Sequence, residues 1–137
     1  MARRTSRTPS RNTASAACPC GLPSGYADCC GRFHAGAAAA SSAEALMRSR
    51  YSAFVVGDVE YLGRTWHPRT RPGQLEFDPG MRWTGLEILE TEGGSAFHST
   101  GTVTFRASYR GGSLYERSRF ERVDGAWVYA DGEFPED

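Results

Sequence analysis

An α+β fold is what this sequence predicts: a short cysteine-rich head, two helices, and then a curved antiparallel sheet of about four strands. Three observations carry that reading. All four cysteines fall between positions 18 and 30, apolar residues recur at helical spacing from 46 to 55, and beyond position 82 the repeat changes to two with glycine turns between the runs. The chain has 137 residues, enough for one packed core, so the head is an appendage to it.

Residues 1–16 read as a disordered basic arm, because Arg3, Arg4, Arg7 and Arg11 sit among Ser, Thr and Ala and the first acid is Asp28. A phosphate-binding arm is the alternative. Over the whole chain 16 basic residues balance 16 acidic ones, which leaves no global electrostatic case for nucleic acid or membrane binding. Arg3-Arg4 is followed by Thr, Ser and Pro rather than by an apolar stretch, so no export signal is expected. No run approaches the ~18 apolar residues of a membrane span. The expected compartment is the cytoplasm.

Next comes Cys18-Pro19-Cys20, eight residues, and Cys29-Cys30. A disulfide framework would join distant parts of a chain, since stabilisation grows with loop length, and here every loop is short. Adjacent cysteines have Cα atoms ~3.8 Å apart, below the ~4.4 Å lower limit of ordinary disulfides. A reducing compartment argues the same way. Zinc suits the pattern: its filled d shell imposes no geometry, and four thiolates at ~2.3 Å close a tetrahedron from two short pairs. The spacing fits neither ferredoxin-type iron-sulfur run, and the Cys-x-x-Cys of redox catalysis is absent. His34, four residues past Cys30, is the alternative fourth ligand.

Cys18-Pro19-Cys20-Gly21, Tyr26 and Cys29-Cys30-Gly31 resemble the SEC-C motif, a small zinc-binding element best known from the C-terminus of the preprotein translocase ATPase SecA. Usual members carry Gly-Ser-Gly after the second cysteine and this chain has Gly21-Leu22-Pro23, with all four ligand positions intact. The resemblance implies one structural Zn2+ held by Cys18, Cys20, Cys29 and Cys30, in a knuckle spanning residues 17–34.

Ser41-Ser42-Ala43-Glu44 reads as a capping box, so a helix starts there. Leu46, Met47, Tyr51, Phe54 and Val55 give it an apolar face, Glu44 and Arg48 form an i,i+4 pair, and Gly57 stops it. Asp58 caps a second helix through Tyr61, Leu62 and Trp66, ended by Pro68. Strands are predicted at 82–92, 97–109, 114–123 and 126–132. Gly93-Gly94, Gly111-Gly112 and Asp124-Gly125 mark the turns of an antiparallel meander.

With two-residue loops at the last two turns, Tyr109 faces Leu114, Ala107 faces Glu116, Phe105 faces Ser118, Phe120 faces Tyr129 and Ser118 also faces Asp131. One face then carries Val103, Phe105, Ala107, Tyr109, Leu114, Phe120, Trp127 and Tyr129, with Glu116, Ser118 and Asp131 as polar intruders. Thr102, Thr104, Arg106, Arg117, Arg119 and Glu121 make the solvated face.

Helices followed by a curved sheet with an apolar concave face resemble the nuclear-transport-factor-2-like (SnoaL-like) cone. Leu46-Met47-Arg48-Ser49-Arg50-Tyr51, Tyr61-Leu62, Thr65-Trp66-His67-Pro68, Trp83 with Gly85-Leu86, Glu116-Arg117-Ser118-Arg119-Phe120, and Gly125-Ala126-Trp127 with Asp131-Gly132 are similar to the YchJ family. The resemblance covers about residues 18–132 and implies a SEC-C motif joined to such a domain, here 41–134. Longer members carry a second SEC-C motif, and its absence from this sequence implies a single metal.

Two functions compete. In one, the protein is a non-enzymatic adaptor whose knuckle and Arg-rich arm contact a protein or ribonucleoprotein, with nucleic acid the weaker partner and no membrane. A site with four protein ligands has no open position for a reacting water, so the zinc is structural. In the other, the concave pocket binds or converts a small molecule, with Glu116 or Asp131 as general acid or base and His67 at the rim. The structural account of the same carboxylates is an ion pair in which Arg48 or Arg50 reaches Glu116.

Overall fold

The computed structural model describes residues 16–75, 77–78 and 80–135, so the basic arm lies outside the described residues except for Ala16. A 3-10 turn at Tyr26–Asp28 leads into helix α1, Cys30–His34; helices α2, Ala43–Val56, and α3, Val59–Arg64, follow. Strands β1, Trp83–Gly93, β2, Thr100–Tyr109, β3, Gly112–Val123, and β4, Ala126–Glu133, then form one antiparallel sheet in the order β1-β2-β3-β4.

Local chemistry sets the helix ends. The Ser42 hydroxyl accepts from the Ala45 amide at 3.0 Å, which makes Ser42 rather than Ser41 the N-cap and leaves Glu44 free to pair with Arg48. Gly57 ends α2 in the left-handed conformation at φ +83°. The Asp58 side chain caps α3 through the Tyr61 amide. That helix stops at Arg64, so Trp66 is not on it. The Thr65 carbonyl accepts from the Tyr129 amide at 2.8 Å and the Tyr129 carbonyl from the His67 amide at 2.7 Å, which lays this segment along the free edge of β4.

The main core joins α2 to the concave sheet face. Leu46, Met47 and Tyr51 pack on Val103, Phe105, Ala107, Phe120 and Trp127, all under 9% exposed. Each large apolar side chain so buried stabilises the fold by roughly 1.5–3 kcal/mol. Phe54 and Val55 do not join them; Phe54 packs edge-on against Phe77 at the rim. The reason is that α2 is covered on a second side. Ser49, Ser52 and Ala53 are fully buried, facing the knuckle and α3, so two buried faces replace the single amphipathic stripe.

The strand register departs from expectation in two ways. Between β2 and β3 the loop is Arg110-Gly111, so Ala107 pairs with Leu114 and Phe105 with Glu116. That slip is two residues, which preserves the facing of every side chain. Between β3 and β4 Phe120 does pair with Tyr129, but a bulge follows and Arg119 pairs with Asp131. The extra residue is Ala130, whose carbonyl accepts from the Thr70 hydroxyl at 2.6 Å. One added residue reverses the alternation, and Asp131 moves to the solvated face.

Candidate metal centre

The cysteine head is a small hairpin followed by a helix start. Ala17 bridges Gly25, the Cys18 amide donates to the Ser24 carbonyl at 3.0 Å, and the Tyr26 amide donates to the Ala16 carbonyl at 2.9 Å. The turn between them carries Cys18 and Cys20; Cys29 is the N-cap of α1 and Cys30 its first residue. Gly31 closes the arrangement because a β-carbon there would stand 2.7 Å from the Tyr26 carbonyl oxygen.

All four sulfurs lie within 4.8 Å of one another and all four residues are buried, Cys20 completely. The Cys20 and Cys29 sulfurs are 3.7 Å apart, far beyond a disulfide bond and close to the ~3.8 Å edge of a tetrahedron with ~2.3 Å arms. The Cys30 thiol bonded to Cys20 draws the Cys20 thiol down to about 5, against its burial. Burial, followed by the neighbouring sulfurs, pushes Cys29 up to about 11. The same bond to Cys20, and then burial, pushes Cys30 up. One thiol of the cluster is thus drawn down and two are pushed up, as expected of sulfurs that share one buried site. Four thiolates need a cation among them, whose binding expels the remaining protons. This cluster could hold a metal ion, and no other group of three or more such ligands occurs among the described residues.

His34 is turned to another task. Its Nε2 lies 2.9 Å from the Ser49 carbonyl, which only accepts, so Nε2 carries the proton. Its Nδ1 then accepts from the Tyr26 hydroxyl at 2.5 Å. Both nitrogens are committed, and the ring pins the knuckle to α2 instead of joining the sulfurs.

Two residues of α2 to which the spacing assigns no part in this site, Ser52 and Arg48, complete the surroundings. The Ser52 hydroxyl is 3.6 Å from the Cys18 sulfur, and Arg48 donates through Nη1 to the Cys20 carbonyl at 2.7 Å. Arg64 donates to the Phe33 and His34 carbonyls, satisfying the end of α1. The LMRSR run of α2 was visible in the sequence, but nothing in its spacing says that Arg48, or Ser52 two residues beyond the run, faces the cysteines.

The pocket candidates are separated. Glu116, 8% exposed, stays on the concave face and accepts at Oε2 from the Ser118 hydroxyl at 2.9 Å and the Tyr129 hydroxyl at 3.2 Å. Neither arginine forms the expected pair with it: Arg48 bonds Glu44 and Cys20, while Arg50 donates to the Leu62 carbonyl and the Thr65 hydroxyl. Asp131, on the other face, pairs with Arg119 at 2.6 Å. His67 also lies away from Glu116, its ring bonded by Arg69 and 3.4 Å from Glu121.

The family described as the YchJ middle, NTF2-like domain matches residues 42–132. A UPF0225 protein of Streptomyces coelicolor is 80% identical over 117 residues, covering 85% of this chain and 94% of that protein. One from Corynebacterium glutamicum is 53% identical over 119 residues, with 85% and 95% covered. The solution structure of a SEC-C motif containing protein from Rhodopseudomonas palustris matches with a TM-score of 0.75 and 35% identity, over 88% of this chain and 99% of that one. The crystal structure of a SEC-C motif containing protein from Psychrobacter arcticus matches with a TM-score of 0.73 and 26% identity, over 91% and 86%.

Proposed function

This chain belongs to the YchJ family, and from that premise we propose that it is a zinc-binding, non-enzymatic adaptor of the cytoplasm that contacts a protein or ribonucleoprotein through its knuckle. The observation that carries the reading is the closed set of four buried sulfurs, Cys18, Cys20, Cys29 and Cys30, within 4.8 Å. Thiolates select a soft or borderline cation, and a tetrahedral four-sulfur set is the arrangement zinc occupies in structural sites. With every position taken by protein the ion activates no water, so its contribution is rigidity.

That rigidity presents a contact surface. Leu22, 42% exposed, stands on the turn just after Cys20 and beside Pro23. An apolar side chain fixed on a metal-braced turn suits recognition of a partner. The Arg-rich arm that precedes the knuckle in the sequence adds basic charge.

Metal analysis of the natively purified full chain tests the first half: one zinc per chain is expected, and none with four free thiols overturns it. Affinity capture with wild type, Cys29→Ser and Leu22→Asp tests the second. Partners lost from both variants, with zinc retained in Leu22→Asp, support the adaptor. Identical partner sets refute it.

A further inference from the structure

Between α2 and the concave face, on the side of α2 away from the cysteines, lies a cavity of about 280 Å³. Met47, Tyr51, Phe105 and Leu114 give it an apolar body. Arg50, Trp66, Glu116 and Tyr129, which also line it, form a polar end. The Arg50 guanidinium carbon is 5.0 Å from the centre of the Trp66 ring and 4.8 Å from that of Tyr129, and the Tyr129 hydroxyl reaches Glu116. These four side chains are therefore clustered.

The hydrogen bonding of that end is incomplete on both sides. Arg50, 4% exposed, makes both of its hydrogen bonds from Nη1, and its guanidinium lies over the Trp66 and Tyr129 rings. Trp66 Nε1 is buried and bonded to nothing. Glu116 accepts both of its bonds at Oε2, and Oε1 accepts none. Buried donors are ordinarily satisfied, so the orphaned Trp66 N–H, with a guanidinium and an open carboxylate oxygen lining the same cavity, calls for a group that accepts at one end and donates at the other.

We propose that this cavity binds a small neutral molecule with an apolar body and an amide-type head, its carbonyl oxygen toward Arg50 and Trp66 and its N–H toward Glu116. The charge arrangement selects neutrality. One buried cation and one buried anion already balance; a bound carboxylate would satisfy Arg50 but face Glu116, and a bound ammonium would face Arg50. An amide places an acceptor and a donor side by side without adding charge.

The test uses the full metal-loaded chain and three probes with one phenyl body: phenylacetamide, phenylacetate and 2-phenylethylammonium. Binding is read by amide chemical shifts and by the fluorescence of Trp66 and Trp83, which both line the cavity. The amide is expected to bind roughly tenfold or more tightly than either ion. Leu114→Trp, or Ala107→Leu if the first does not fold, fills the apolar end and should abolish binding. Glu116→Gln removes the repulsion and should bring phenylacetate to within about threefold of the amide. No saturable binding of phenylacetamide at millimolar concentration, equal or tighter binding of either ion, or binding that survives the filling variant overturns the proposal.

Discussion

The Arg48 guanidinium donates to the Cys20 carbonyl at 2.7 Å while its Nε holds Glu44 at 3.0 Å, so one side chain ties the turn between the first two cysteines to the exposed flank of α2. The knuckle is thus docked on the helix that also roofs the sheet. His34 and Ser52 add two further ties between the same elements.

Loss of that tie should weaken the metal site without unfolding the domain. A hydrogen bond from a charged donor is worth about 1.5–3 kcal/mol, or roughly tenfold or more in affinity. Arg48→Met keeps the aliphatic stem and is expected to lower zinc affinity by about that factor in a competition titration with a chromophoric chelator, with the far-UV spectrum unchanged. Unaltered affinity would show that the Cys20 turn is rigid by itself.

Gly132 pairs with Ser118 on the ladder, and a β-carbon there would stand 2.9 Å from the Glu116 carboxyl carbon. Gly132→Ala forces the buried carboxylate off Ser118 and Tyr129, and overpacking of this kind costs about 1–3 kcal/mol. Denaturant unfolding should record that loss in the wild-type background and a much smaller one with Glu116→Ala already present. Equal losses would place the strain elsewhere.

The two carboxylates once grouped together should behave differently. Asp131 and Arg119 are a surface pair with side chains about half exposed, so Asp131→Ala is expected to change stability by less than about 1 kcal/mol. Glu116→Ala strands the buried Ser118 hydroxyl and the part-buried Tyr129 hydroxyl and removes a carboxylate that acts on Arg50, at a cost of about 1–3 kcal/mol. Urea titrations of both variants check the contrast, and similar losses would contradict it.

Alkali should unfold the domain. Tyr26, Tyr51, Tyr61 and Tyr129, four of the six tyrosines, are pushed above the usual phenol range by burial first, and Tyr129 also by Glu116. Their contribution is full below pH ~10 and is lost as pH climbs toward their folded values, because the unfolded phenols ionise first. Arg50 has the opposite sign: burial draws it down to about 10 from 12.5, so folding sheds its proton in that window and stability rises with pH. Outside the cysteine cluster the raised phenols outnumber the one lowered guanidinium, which gives a net loss. Phenolate absorbance of the buried rings is expected to rise together with loss of near-UV dichroism; ionisation in a still-folded protein would refute the argument.

Most of the element order was legible because it rests on local chemistry. Ser42, Asp58, Gly57 and Asp124-Gly125 act on the backbone within a few residues, so caps and turns can be read from neighbours in the sequence. The second buried side of α2 could not be read that way. Ser49 and Ser52 look like solvent-facing residues until the knuckle, 15 positions earlier at His34 and 34 at Cys18, is laid against them.

The sequence by itself determined that four cysteines with short spacing, apolar residues at helical spacing and a period-two meander make an α+β protein with a cysteine knuckle, since spacing and alternation are properties of the chain alone. Tertiary structure decided which polar residues share a site. A single unpaired residue, Ala130, held by Thr70 from a distant segment, turns Asp131 outward while Glu116 remains beneath α2. Side-chain facing alternates along a strand, so it reverses at every bulge, and this bulge is held by a contact sixty positions away.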